Sequence, residues 1–151
     1  MHPARCRYKK DGMEQRHFKK IGLLVLNDDR TKFLVCEKYS TDMTIDYIMP
    51  GGQIEQETEL ACIRREVKEE LDCHVKQDSI KYIGEYEGPA AGGGTLYMKL
   101  YEGELTASPK PSQEIKTLHW IGAGDQTNLR VSEFIRTKVI PDITKRGILK
   151  A

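Results

Sequence analysis

The sequence predicts an α/β (α+β) sandwich, a mixed β-sheet with one internal helix and one C-terminal helix. Three observations predict it. Apolar, β-branched runs lie on both sides of one helical segment, that segment carries a single apolar stripe, and a second helical pattern closes the chain. At 151 residues the chain is the size of one ordinary domain.

The elements follow in order. Ile21 to Leu26 is an uninterrupted apolar run, read as a buried strand, and Asn27-Asp28-Asp29-Arg30 supplies turn residues. Lys32 to Lys38 is a second strand with β-favouring Phe33 and Val35, and Ile45 to Met49 a short third strand closed by Pro50. The pattern is helical from about Thr58 to Leu71, where Leu60, Ile63, Val67 and Leu71 fall on one stripe at 100° per residue. Strands return at Ile80 to Tyr86 and Thr95 to Leu105, either side of the loop Gly88-Pro89-Ala90-Ala91-Gly92-Gly93-Gly94. Pro109 and Pro111 mark a loop before the strand Ile115 to Ile121, in which Trp120 is expected in the core. A closing helix starts near Ser132, is interrupted by Pro141 and stops near Gly147.

Charge divides the chain. Lys and Arg total 24 and Asp and Glu 23, a net charge of +1 that gives no global attraction to nucleic acid or an anionic membrane. Residues 1–20 nevertheless hold seven basic side chains against two acidic ones. Residues 1–17 are accordingly expected to form a basic, unstructured tail ahead of a single domain over 18–151. Met13 offers an alternative start. The apolar run Ile21 to Leu26 is far too short to span a bilayer, and the tail has no signal-peptide segment. Cys6, Cys36, Cys62 and Cys73 make no C-x-x-C pair, and the four histidines are scattered, so no zinc-ligand spacing appears. Free thiols point to a reducing, cytoplasmic setting.

The chemistry gathers on the internal helix. Glu66 and Glu70 lie together beside the apolar stripe, with Glu69 further round and Arg65 and Lys68 on the opposite flank. Like charges at these spacings repel, and partial burial raises the cost to about 4 kcal/mol at ~4 Å and an effective dielectric near ~20. Arg65 can partner Glu69 at i+4, but Glu66 and Glu70 have no base four residues on. An ordinary solvated acidic face is one reading. A divalent cation between the carboxylates is the other, and Mg2+ suits carboxylate oxygens together with phosphates.

The flanking residues decide between them. Counting from Gly51, the segment through Cys73 has Glu57, Arg65, Glu66, Val67, Glu69 and Glu70 at the spacing glycine, five residues, Glu, seven residues, Arg-Glu, aliphatic, any residue, Glu-Glu. It resembles the Nudix box, matching seven of nine fixed positions, and the lead-in Met49-Pro50-Gly51-Gly52 is similar to the family as well. There are departures. The loop is one residue shorter than the family's usual form, Gln56 stands where that form has glycine, Asp72 replaces the glycine that ends the helix and Cys73 replaces an aliphatic residue.

The resemblance implies a Nudix-type α/β/α sandwich and a MutT-like hydrolase. Glu66, Glu69 and Glu70, with a carbonyl of the turn at Gly51, would bind Mg2+ (or Mn2+), while Glu57 and Arg65 orient them. The substrate would be a nucleoside diphosphate linked to another group, a nucleoside triphosphate or a nucleotide sugar such as ADP-ribose, cleaved by water attack on phosphorus. Either Glu69 or Glu114, just ahead of Leu118-His119-Trp120-Ile121, would act as general base. Tyr47, Gly52, Tyr86 and Gly93 are the candidates for touching substrate, the tyrosines by stacking on a base. Pairing into a homodimer is compatible with the resemblance, and no long exposed apolar stripe demands it. The alternative function is a Nudix-like nucleotide-binding or sensor domain without turnover. An intact glutamate triad speaks against it, since binding alone needs no activated water.

Overall fold

The computed structural model describes residues 5–10, 13–39 and 46–151, with side chains from Arg16 onward. A five-stranded mixed sheet contains β1 (Arg5–Lys10), β2 (Met13–Leu24), β4 (Gly51–Gly52), β5 (Lys81–Pro89) and β6 (Thr95–Glu102). Its order is β1-β2-β6-β5, with β4 on the β1 side of β2. The β2–β6 pair is parallel and the others are antiparallel. A second sheet pairs β3 (Lys32–Lys38) with β7 (Ile115–Gly122).

Alternation along β2 and β3 builds two cores. Ile21, Leu23, Val25, Leu34 and Cys36 face α1 (Glu59–Leu71), whereas Leu24, Phe33 and Val35 face the C-terminal helix. The continuous apolar run is therefore a strand buried on both faces, and an α/β/α sandwich follows.

Thr58 caps α1, its Oγ1 accepting from the Ala61 amide at 3.1 Å, and Asp72 ends it in a left-handed conformation (φ 51°, ψ 42°). At the other edge of the molecule a π-helical turn, Ile135–Val139, runs directly into α2, Ile140–Lys145. Tyr86 Oη donates to Asp142 at 2.5 Å, and Arg146 donates to the Ile83 carbonyl at 3.0 Å, fastening α2 to β5. Lys99 and Tyr101 on β6 both bond to Glu59 in the first turn of α1.

Five expectations need correction. The described residues of the basic segment 1–17 are not an unpaired tail, because β1 and the first part of β2 pair in register from Lys10↔Met13 to Arg5↔Phe18, while residues 1–4 and 11–12 lie outside the described residues. Asp11-Gly12, the sequence between them, is a strong two-residue hairpin signal that a charge count does not weigh. The strand expected at Ile45 to Met49 reduces to isolated bridges at Tyr47 and Ile48, with residue 45 outside the described residues. Leu60 is 39% exposed and Trp120 42% exposed, so neither belongs to the core. Pro141 does not interrupt the closing helix. Its missing N–H and the clash with the preceding turn are absorbed by the π turn, in which the Ile140 amide bonds to the Ile135 carbonyl.

Candidate active site

The site forms where α1, β4 and the loop between them meet the edge of β2. Helical periodicity turns Cys62, Ile63, Glu66, Val67, Glu70 and Leu71 inward. Two of the three expected acids are thus pulled out of solvent by the residues around them. Glu66 is 8% exposed and Glu70 2% exposed, whereas the Glu69 side chain, further round the helix, is 40% exposed.

Gly51 and Gly52 close on these acids. The Gly51 amide donates to Glu70 Oε1 at 2.9 Å. Gly51 also needs its missing Cβ, since φ is +135° and a Cβ would sit 2.0 Å from the Ile21 carbonyl oxygen. A Cβ on Gly52 would lie 2.3 Å from Glu66 Oε2, so that carboxylate packs directly on the turn. The Pro50 carbonyl accepts from the Leu23 amide, which pins the turn to β2.

Arg65 organises the opposite side. Its Nη2 donates to Glu57 Oε1 at 2.7 Å and to the Gln53 carbonyl at 2.9 Å, and its Nη1 to Glu66 Oε2 at 2.8 Å. Glu69 Oε1 is 3.5 Å from the same Nη1. Arg65 therefore does not lie across the helix from the acids, as helical angle alone suggests, because its long side chain curls back over the Gln53–Glu57 loop. Its guanidinium holds Glu57 below the usual carboxylate range. Cys62 reaches the same loop, with its Sγ 3.7 Å from the Gly52 carbonyl and 3.6 Å from that of Gln53.

Burial pushes Glu66 upward and Glu70 up to about 7, with the nearby Lys20 ammonium opposing the rise at Glu70. Two desolvated carboxylates beside a glycine turn are oxygen donors of the type a hard divalent cation takes. In that sense the residues fit Mg2+ or Mn2+. Among the described residues, however, no three acids, cysteines or histidines already converge on one point. Glu69 turns to Arg65, so closing round a cation takes rotation of that side chain.

The remaining candidates are spread more widely. Glu114 is an exposed loop acid whose carboxylate lies 3.4 Å from Lys38 Nζ. Gly52 lines a cavity of about 230 Å3 beside the turn, together with Lys20, Lys38 and Phe134. Tyr86 lines a larger cavity of about 790 Å3, while its hydroxyl is engaged by Asp142. Tyr47 stacks on His119 at 4.2 Å, with Arg130 over its ring at 4.8 Å. Gly93 sits at φ +104° in the turn between β5 and β6, and a Cβ there would touch nothing within 4 Å. The structure thus brings Glu57, Arg65, Glu66, Glu69, Glu70, Gly51 and Gly52 together and leaves Tyr47 and Gly93 outside that cluster. Lys20 and Lys38 escaped the sequence reading. The signal for Lys20 was its place on the inward face Phe18, Lys20, Gly22, Leu24 of a strand begun too late at Ile21.

The NUDIX domain family model matches residues 16–142. This chain belongs to the Nudix family. By class it is a Nudix pyrophosphohydrolase, the enzyme expected from the intact glutamate triad. Among solved structures it is similar to the MutT protein of Methanosarcina mazei Go1, at 16% identity and a TM-score of 0.70 over 89% of this chain and 98% of that one. It is also similar to the E. coli ORF135 protein, at 13% identity and a TM-score of 0.66 over 87% and 91%. A C. elegans Ap4A hydrolase follows at 14% identity and 0.63 over 85% and 97%. At these identities the likeness is one of fold. No curated protein matches the chain in sequence. No helix among the described residues is long and apolar enough to cross a membrane.

Proposed function

We propose that this Nudix domain hydrolyses the pyrophosphate bond of a nucleoside diphosphate linked to another group, in a reaction that depends on Mg2+ or Mn2+. The observation that carries the reading is the burial of Glu66 and Glu70 side by side against the Gly51-Gly52 turn. Acids placed there only to solvate a surface would face outward, and Arg65 pairs with Glu66 while no ion pair among the described residues reaches the more deeply buried Glu70.

Glu66, Glu69 and Glu70 hold the cation, with a carbonyl of the glycine turn as a further oxygen ligand. A cation held there would neutralise phosphate oxygens and supply an activated water. Water attacks phosphorus and the distal phosphate group leaves. Glu69 or Glu114 takes the proton of that water. Arg65, clamped between Glu57 and Glu66, holds the Gln53 carbonyl and the helix in one arrangement. No covalent intermediate is required. The free, buried thiols of Cys36, Cys62 and Cys73 support a reducing, cytoplasmic setting.

The test is product release from a nucleotide panel with Mg2+ and with chelator. The reading expects nucleoside monophosphate and a second phosphorylated product only when metal is present. Binding of a nucleotide without cleavage under any metal would leave the sensor reading in its place. Glu69→Gln and Glu114→Gln, compared by kcat across pH, separate the two candidate bases, since loss of the base removes the acid limb of the profile.

A further inference from the structure

The described lining of the cavity beside the Gly51-Gly52 turn contains three lysines and no carboxylate. The larger cavity, which Lys19 and Lys20 also border, adds Lys99 but sets these lysines against Glu59, Glu85 and Glu87. Two of its charges are already spent on each other, Lys99 Nζ lying 2.8 Å from Glu59 Oε2. A polyanion therefore gains more in the smaller space, although the larger one offers more room.

Lys20 and Lys38 enter the smaller cavity from different strands, β2 and β3. Lys20 Nζ donates to the Met49 carbonyl at 2.7 Å, at the start of the glycine turn, which leaves further donors on the same ammonium. The groups facing Lys20 are Glu70, Glu66, Cys36 and Lys38, and burial lowers its pKa. Both of those acids belong to the proposed cation cluster, so neither is a lasting partner for it. Among the described residues Lys38 pairs with the exposed Glu114, at 3.4 Å. Two ammonium groups at one cavity whose described lining holds no carboxylate form a receptor for anionic oxygen.

We infer that Lys20 and Lys38 are specificity-determining residues that clamp an additional phosphate group, so that the site selects nucleotides with three or more phosphates over two-phosphate nucleotide sugars. The inference rests on the pyrophosphohydrolase reading. A bridging diphosphate would have the cation and its ligands to balance it, whereas a third phosphate brings charge that Lys20 and Lys38 are placed to meet. The rest of the described lining is mostly apolar, including Phe18, Leu96, Met98 and Phe134, with Lys19, Gln53 and Ser132 as its polar side chains.

The experiment compares a nucleoside triphosphate with a nucleoside diphosphate sugar in wild type, Lys20→Met, Lys38→Met and the two Lys→Arg variants. Steady-state kinetics in Mg2+ are paired with metal-free calorimetry of a methylene-bridged triphosphate that cannot be cleaved. Loss of a charge-assisted contact is expected to raise KM for the triphosphate about tenfold in each Met variant, with a much smaller rise for the nucleotide sugar and partial rescue by Arg. The calorimetric affinity for the methylene analogue falls in parallel. Equal losses for both substrates, or unchanged analogue binding in Lys38→Met, overturn the clamp. If Lys20→Met melts early, Lys20→Arg and the more exposed Lys38 still decide the matter. Failure of wild type to cleave any nucleotide overturns the hydrolase reading instead, and the calorimetry then judges the clamp separately.

Discussion

Glu70 lies almost fully buried, with the Gly51 amide on one carboxylate oxygen and its pKa pushed up to about 7. The folded chain thus holds that proton more tightly than the unfolded chain, whose carboxyl titrates near 4.5. The sign follows directly. Without metal, Glu70's contribution is most favourable on the acid side of this window and declines as pH rises from 4.5 to about 7, by about 3 kcal/mol at most. Glu70→Gln keeps an oxygen acceptor for Gly51 and removes the charge. In chelator its melting temperature is expected to match or exceed that of wild type at pH 8, with a flatter dependence between pH 5 and 8, while turnover is abolished. A variant that unfolds in chelator at pH 8 would make Glu70 a structural residue. Arg65 shows the opposite case, since Arg65→Met strands Glu57 and Glu66 together. A loss of about 2–3 kcal/mol by denaturant unfolding is expected, below the full cost of breaking a buried pair because Arg65 keeps partial solvent access.

At the scale of elements, α1 was the most legible part of the chain. Its stripe and the place of Glu66 and Glu70 beside it follow from 3.6-residue periodicity, and Thr58, where the helical pattern starts, is its N-cap. The box departures are informative in the same way. Gln56 (φ 54°) and Asp72 (φ 51°) stand where the resembled family has glycine, and both adopt the left-handed conformation that glycine accepts without strain. Gln56→Gly and Asp72→Gly are each expected to stabilise the fold by about 0.5–1 kcal/mol, and Asp72→Val to destabilise it by more than that, all measured by thermal melts. The Lys68–Asp72 pair lost with Asp72 is exposed and contributes little. What periodicity could not foresee was tertiary. Leu60 is left uncovered at the edge of the stripe, and Trp120, paired across the strands with Leu34 and so on the same face, extends beyond the cover of that core. The π turn before Pro141 depends on packing of Phe134, Ile135 and Val139 in the core, which no local propensity encodes.

Over the whole molecule, two apolar cores lie on opposite faces of the strands, and the acidic cluster sits at the margin of one of them. That arrangement explains why the box was readable from sequence while the cavity was not. Lys20, Lys38 and Phe134 come from residues far apart in the chain, and only the topology joins them. The same topology brings Ser132, Phe134 and Ile135, just ahead of α2, to the wall of the smaller cavity, while Tyr86 and Asp142 fasten α2 itself to β5. Tyr86→Phe removes that bond and is expected to cost about 1–2 kcal/mol in denaturant unfolding near neutral pH. Asp142 is held below the usual carboxylate range chiefly by Tyr86, so its contribution is present above that range and is lost as pH falls through it. The difference between the two proteins should therefore narrow in acid.

Mn2+ titration of the nucleotide-free protein, followed by calorimetry or by the ion's paramagnetic resonance, tests the central claim most directly. Wild type should bind Mn2+ with an affinity that increases from pH 6 to pH 8 as carboxylates ionise, and Glu66→Gln and Glu70→Gln should each lose most of that affinity. Undiminished Mn2+ binding in both variants, or none in wild type at pH 8, would contradict a cation site built on the buried glutamates of α1.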